Sequence, residues 1–275
     1  AQIASAELGV RRFEELLDKY GKEVVQDCID ELLAMAENHM RSMIKQVPDG
    51  TYNGSANNTS VVNARRGNGN NIDLNRDAQN LSQPESLILD KLYKSLKPDF
   101  CFNLHGQRII FSAGSSNNPA TISFLAPSQN LEKTITQTRK LAMEIIARMN
   151  QSLQSVIPSQ VGLYDDTFNL NCVGDTIQSK NTPTILIEAG HYHRDYGREK
   201  VRKFICIAIL EGLSCIINKA ISGNLFNDYF KIPLNKKLFF DVIIRNTKEE
   251  TGIHPNDIGI QFKEVLVENS ITFVP

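Results

Sequence analysis

The sequence is short of several signals, and each shortage narrows the reading. It has no Cys-x-x-Cys pair: Cys28, Cys101, Cys172, Cys206 and Cys215 stand far apart. Their count is odd and their neighbours are mostly apolar, as in Phe100-Cys101-Phe102 and Ile205-Cys206-Ile207. They read as buried, reduced thiols, which favours a reducing compartment. There is no charge excess either. A formal net charge of −1 removes any global electrostatic case for nucleic acid or for an anionic membrane as partner. No apolar run approaches the length of a membrane span, and no signal peptide is legible, so a cytoplasmic location is expected. No internal repeat occurs.

What remains is ordinary for a globular chain. Of 275 residues, 41% are hydrophobic and 22% charged, enough for a sizeable core in one domain with an appendage. Residues 1–52 read as a helical segment. Phe13, Leu16, Leu17, Tyr20, Val24, Cys28, Leu32 and Met35 recur at three- and four-residue steps, with charged residues between them. Gly21 marks a break between two helices. Residues 53–71 form a linker or long loop, rich in asparagine and glycine. It contains Asn57-Asn58-Thr59, which fits a glycosylation acceptor, although in a polar loop of this composition chance is the better reading.

From residue 72 to 222 strands alternate with helices. Ser82 to Leu96 suits a helix capped by Ser82 with Glu85 three residues on. Phe100–Leu104, Thr121–Leu125 and Thr184–Ile187 are short apolar strands; Leu131–Val156 and Arg198–Ile221 are helices. The expected fold is α/β: a mostly parallel, mixed sheet flanked by helices. Residues 223–275 alternate in Leu238–Arg245, Ile258–Val267 and Ile271–Val274, which predicts a small antiparallel β unit.

The residues able to carry chemistry sit at the ends of these apolar runs. In an open α/β sheet ligands bind beyond the carboxyl ends of the strands. His105 ends one strand and Glu188 another, so both can face one crevice. A neutral imidazole is a zinc ligand, and a carboxylate beside a metal-bound water is a general base. Arg76 offers a fork that holds a carboxylate in two parallel hydrogen bonds, and Asn75 can add a donor. Plainer roles stand beside these: Arg76 pairing with Asp73 or Asp77, Glu188 with Arg194 or Arg198, and His105 as a satisfied core residue.

Two resemblances follow. Ala1-Gln2-Ile3-Ala4 through Glu7-Leu8-Gly9, and Pro48-Asp49-Gly50-Thr51-Tyr52, resemble a segment of the hydantoinase B / oxoprolinase family, whose members are large subunits. Ile72-Asp73-Leu74-Asn75-Arg76-Asp77, Phe102-Asn103-Leu104-His105 and Ile185-Leu186-Ile187-Glu188-Ala189-Gly190 resemble the later motifs of the zinc metallocarboxypeptidase family, over about residues 62–218. The second resemblance implies zinc as cofactor with His105 as a ligand. It implies Asn75 and Arg76 gripping a substrate's terminal carboxylate, and Glu188 as the catalytic carboxylate. Arg65 or Arg66 falls near the family's oxyanion arginine, and Tyr164 near its substrate-capping tyrosine. The implied substrate is a peptide or amide with a free C-terminal carboxylate. The family's His-x-x-Glu zinc pair has no counterpart: His39 and His254 lack it, and His191 and His193 follow the Glu188 strand. The family's first strands are missing too. An incomplete sheet implies a homo-oligomer or a partner chain.

Overall fold

The computed structural model describes residue 68 and residues 70–247, 256–267 and 270–275. The expected N-terminal helices, most of the asparagine-rich stretch, Arg65, Arg66 and His254 lie outside the described residues.

The central sheet has four strands in the order β1-β5-β3-β4. These are β1 (Cys101–Gly106), β3 (Ile122–Leu125), β4 (Val161–Leu163) and β5 (Thr184–Ala189). β1 runs parallel to β5 and β3 parallel to β4, while β3 and β5 are antiparallel. The sheet is therefore mixed, as expected. Two long helices, α2 (Gln137–Leu153) and α4 (Glu199–Ile217), pack together on one of its faces. Side chains alternate along a strand, so that face receives Ile122, Phe124, Ile185 and Ile187. All four are fully buried, together with Met143, Ile146 and Met149 of α2. Burying one such side chain contributes roughly 1.5–3 kcal/mol, and this layer is the core.

The opposite face carries Asn103, His105, Leu186, Glu188 and Ser123. Register sets them side by side: Asn103 opposite Leu186, His105 opposite Glu188, and Glu188 opposite Ser123. A short helix, α3 (Val173–Ser179), lies over this face. A Cβ on Gly174 would meet Asn103 Nδ2 at 2.8 Å, so glycine lets the helix settle on β1.

Several boundaries move from those expected. Helix α1 spans Pro84–Leu96, with Pro at its start and Gln83 as a cap without a side-chain bond. Ser82 is not the cap, because its hydroxyl donates to Asp77 Oδ1 at 2.7 Å. Helix α2 starts at Gln137, six residues later than expected, where Thr136 Oγ1 accepts from Arg139 N at 3.2 Å. Buried Arg139 holds the preceding loop off the helix, donating to Ala126 O, Lys133 O and Asp166. Short strands β2 (Phe111–Ala113) and β6 (Asn235–Lys237) pair antiparallel.

The tail is antiparallel, as expected: β7 (Val242–Thr247) pairs with β8 (Asn256–Ile260), and β9 (Lys263–Val267) with β10 (Ser270–Val274). Several of its apolar side chains are not covered. Ile243, Ile244, Ile258 and Phe262 are all more than 40% exposed. The thiol expectation also needs correction. Of the four described cysteines Cys215 is buried, but Cys206 is exposed on α4, and Cys101 and Cys172 are half-buried. No helix among the described residues is long and apolar enough to cross a membrane.

Candidate carboxylate-binding crevice

The polar face of the sheet is the floor of a cavity of about 780 Å³, and Asn75, Arg76, His105, Tyr164 and Glu188 all line it. They come from four separate parts of the chain. The segment around Asn75 is a 3-10 helix, Leu74–Arg76, capped by Asp73, whose side chain accepts from Asn75 N at 3.0 Å. Asn75 Oδ1 accepts from Val173 N at 3.1 Å, at the start of α3. Its Oδ1 is thus committed to α3. Arg76 is exposed, and its Nη1 donates to the carbonyl of Asn75 at 2.9 Å.

The plainer role of Arg76 as a partner of Asp77 does not hold. Asp77 is buried and occupied by Ser82 N, Ser82 Oγ and Gln83 N. Burial works against its charge, but hydrogen bonds from Ser82, Ser86 and the backbone hold its carboxyl below the usual range. Its role is to fix the turn that carries Asn75 and Arg76. Arg198 donates to Ala189 O at 3.0 Å and Gln107 O at 3.3 Å, and its Nη2 lies 2.7 Å from His191 Nε2.

Glu188 is buried, at 8% exposure, and His105 is half-buried at the same level of the neighbouring strand. Tyr164 follows β4, held by its N–H to Phe124 O at 2.8 Å and edge-on to the Phe111 ring at 5.5 Å. His191 is half-buried beside Arg198 and lines a neighbouring cavity instead, and His193 is exposed.

Asp175 lines the same crevice, although nothing in the sequence around it draws attention to it. It lies in the first turn of α3, is buried, and accepts from Asn169 N at 3.4 Å. Burial pushes its carboxyl up to about 6, against the pull of the Arg76 and Arg139 charges. Lone acids are common in a sequence, and only the fold sets this one beside Arg76. Gln107 is equally inconspicuous in the sequence. It is buried and pinned by Nε2 to Ala120 O at 2.6 Å, while its Oε1 accepts from Asn235 Nδ2 at 3.2 Å.

A catalytic zinc needs about three protein ligands. The described residues bring no group of three His, Cys, Asp or Glu side chains together in a way that could hold a metal. They do not fit the zinc ion that the resemblance implies. The crevice instead offers a guanidinium and an amide donor at one end, a buried carboxylate and an imidazole on its floor, and a tyrosine at its side.

Comparison with known proteins bears out the N-terminal resemblance. The family model for hydantoinase B/oxoprolinase matches residues 1–75. Among curated proteins, the beta chain of the caprolactamase of Pseudomonas jessenii is 48% identical over 56 residues, 20% of this chain and 10% of that protein. The B component of a putative D-/L-hydantoinase of Pseudomonas sp. (strain NS671) is 46% identical over 52 residues, 19% of this chain and 9% of that protein. The chain thus spans about a tenth of the length of these relatives. Among solved structures, a metallo-carboxypeptidase from Burkholderia cenocepacia superimposes with a TM-score of 0.39 and 14% identity, over 56% of this chain and 40% of that one. So slight a likeness carries no inference about chemistry.

Proposed function

We propose that the crevice binds a ligand with a free carboxylate, a peptide C terminus, held by Arg76 and Asn75 above the His105–Glu188 floor. One observation carries the reading: Asn75, Arg76, His105, Tyr164 and Glu188, scattered over more than a hundred positions, line one cavity. An exposed guanidinium with no ion pair among the described residues is free to take a carboxylate in a charge-assisted, two-pronged contact. Asn75 presents its amide donor alongside. Tyr164 flanks the ligand, and Glu188 offers a carboxylate to accept a hydrogen bond from its last amide N–H. The described residues lack a zinc set, so the proposal is for recognition of the C terminus, not turnover.

The test is calorimetric titration of the full chain with a short peptide, either free or amidated at its C terminus. Binding of the free peptide, loss of it on amidation or in Arg76→Ala, and no effect of a chelator are expected. Equal binding of free and amidated peptides refutes the reading. One equivalent of zinc in the purified chain, lost in His105→Ala, would replace it with the hydrolase reading.

A second reading rests on the match over residues 1–75. The curated relatives are named as subunits. By that likeness the N-terminal segment contributes to association with another chain. Light scattering after size-exclusion chromatography tests it: a monodisperse monomer at micromolar concentration leaves self-association unsupported.

A further inference from the structure

A second cavity, of about 630 Å³, adjoins the crevice, and Gly106, Gln107 and Arg108 line both. Its other walls include His191, Arg198 and Lys263, and among the described residues no Asp or Glu lines it. The charge is therefore of one sign: Arg108, Arg198 and Lys263. His191 adds no charge at neutral pH, since burial and the adjacent Arg198 push its imidazole down to about 4, against the pull of Asp195. The Asp195 carboxylate is committed elsewhere, where it accepts Val201 N at 3.1 Å in the first turn of α4.

We infer that the two cavities form one groove for an acidic peptide, with its terminal carboxylate at Asn75–Arg76 and acidic side chains upstream in the Arg108–Arg198–Lys263 cavity. The inference rests on the proposed function and narrows its ligand class. Gln107, pinned at both ends of its amide, fixes the strip of chain between the cavities, and Arg108 projects from that strip. Arg108 Nη2 donates to Gln261 Oε1 at 2.6 Å, which ties the tail to the rim of the groove. Arg198 holds the backbone at Gln107 and Ala189 and contributes field; Arg108 and Lys263 are exposed and able to meet a ligand carboxylate.

Fluorescence anisotropy on the full chain distinguishes this inference from the reading beneath it. The probes are labelled tetrapeptides Glu-Glu-Glu-Ala and Gln-Gln-Gln-Ala, each with a free or an amidated C terminus. The acidic peptide is expected to bind about tenfold more tightly at low salt, as a few partly exposed ion pairs allow. That preference should vanish in the Arg108→Gln/Lys263→Gln double variant and shrink as salt rises. Equal affinity for the two free peptides overturns the acidic groove and leaves C-terminal binding standing. An acidic preference indifferent to amidation overturns the grip at Asn75–Arg76, and with it the threaded orientation. Failure of both free peptides to bind overturns both.

Discussion

The same strands build two unlike surfaces. Towards α2 and α4, β1, β3 and β5 present Phe102, Ile122, Phe124, Ile185 and Ile187, the last four packed to complete burial. Towards α3 they present Asn103, His105, Ser123 and Glu188, and Asn103, His105 and Glu188 border the cavity. A period of two residues allows this division: each strand spends alternate positions on stability and on the site. Polar groups on the second face depend on the first for their placement, while the first does not depend on them. Changes on the core face should therefore remove fold and binding together, and changes on the crevice face should remove binding alone.

The largest expected effect is on the core side. Phe124→Ala empties a fully buried position and should cost about 3–5 kcal/mol, read as a lower midpoint in urea unfolding. If unfolding were unchanged while binding fell, the division of labour between the faces would be refuted. Next comes Arg76→Ala. Losing a charge-assisted contact of about 1.5–3 kcal/mol predicts roughly 10- to 100-fold weaker binding of a free C-terminal peptide. The melting temperature should stay where it was, because Arg76 is exposed and donates only to its neighbour's carbonyl.

Asp175→Asn is a sharper probe because Asp175 lies on the crevice side yet is buried. Its folded pKa, about 6, lies above the ordinary 3.8. Between those values the native state holds the proton that the unfolded state has lost, so this group's contribution to stability falls as pH rises from about 4 to about 6. Above 6 the buried charge persists as a penalty. The Asn variant should be more stable at pH 7 by about 1 kcal/mol once solvent screening is allowed for. The two proteins should converge below pH 4, as followed by thermal melts across pH. Peptide affinity of the unaltered chain should rise as pH drops from 7 to 5, because Asp175 then stops repelling the ligand's carboxylate, and this slope should flatten in the variant. The smallest effect is expected for Tyr164→Phe. Deleting one hydroxyl at the cavity wall should weaken binding only a few-fold, consistent with one neutral hydrogen bond of about 1 kcal/mol.

Much of the polar face was legible in the sequence because its residues close apolar runs. His105 and Glu188 could be set in one crevice from strand ends alone, and the register makes them neighbours. Asp175 and Gln107 were not legible. Their importance arises from α3 lying over β1 and from contacts with Ala120 and Asn235, distant in sequence. Three-residue strands such as β4 are too short for their alternation to register. The misjudged thiol has a helical cause. Ile205 and Ile207 flank Cys206 in sequence, but each step along a helix turns the side chain by about 100°, so Cys206 points outwards while Ile207 is buried. In the tail, alternation identified strands but not whether anything covers them, and the exposed Ile243, Ile244 and Ile258 show that periodicity alone does not imply burial.

The pairing of β1 with β5 has a consequence for the birth of the protein. Cys101 meets Thr184, so β1 is synthesised roughly eighty residues before its partner strand. Parallel pairing at such a separation forms late, after the loop-closure cost has been met. The His105–Glu188 floor is then among the last features to be assembled. A nascent chain arrested before residue 184 should lack it altogether, and would leave Phe102, which packs against the core in the folded chain, open to chaperones throughout that interval.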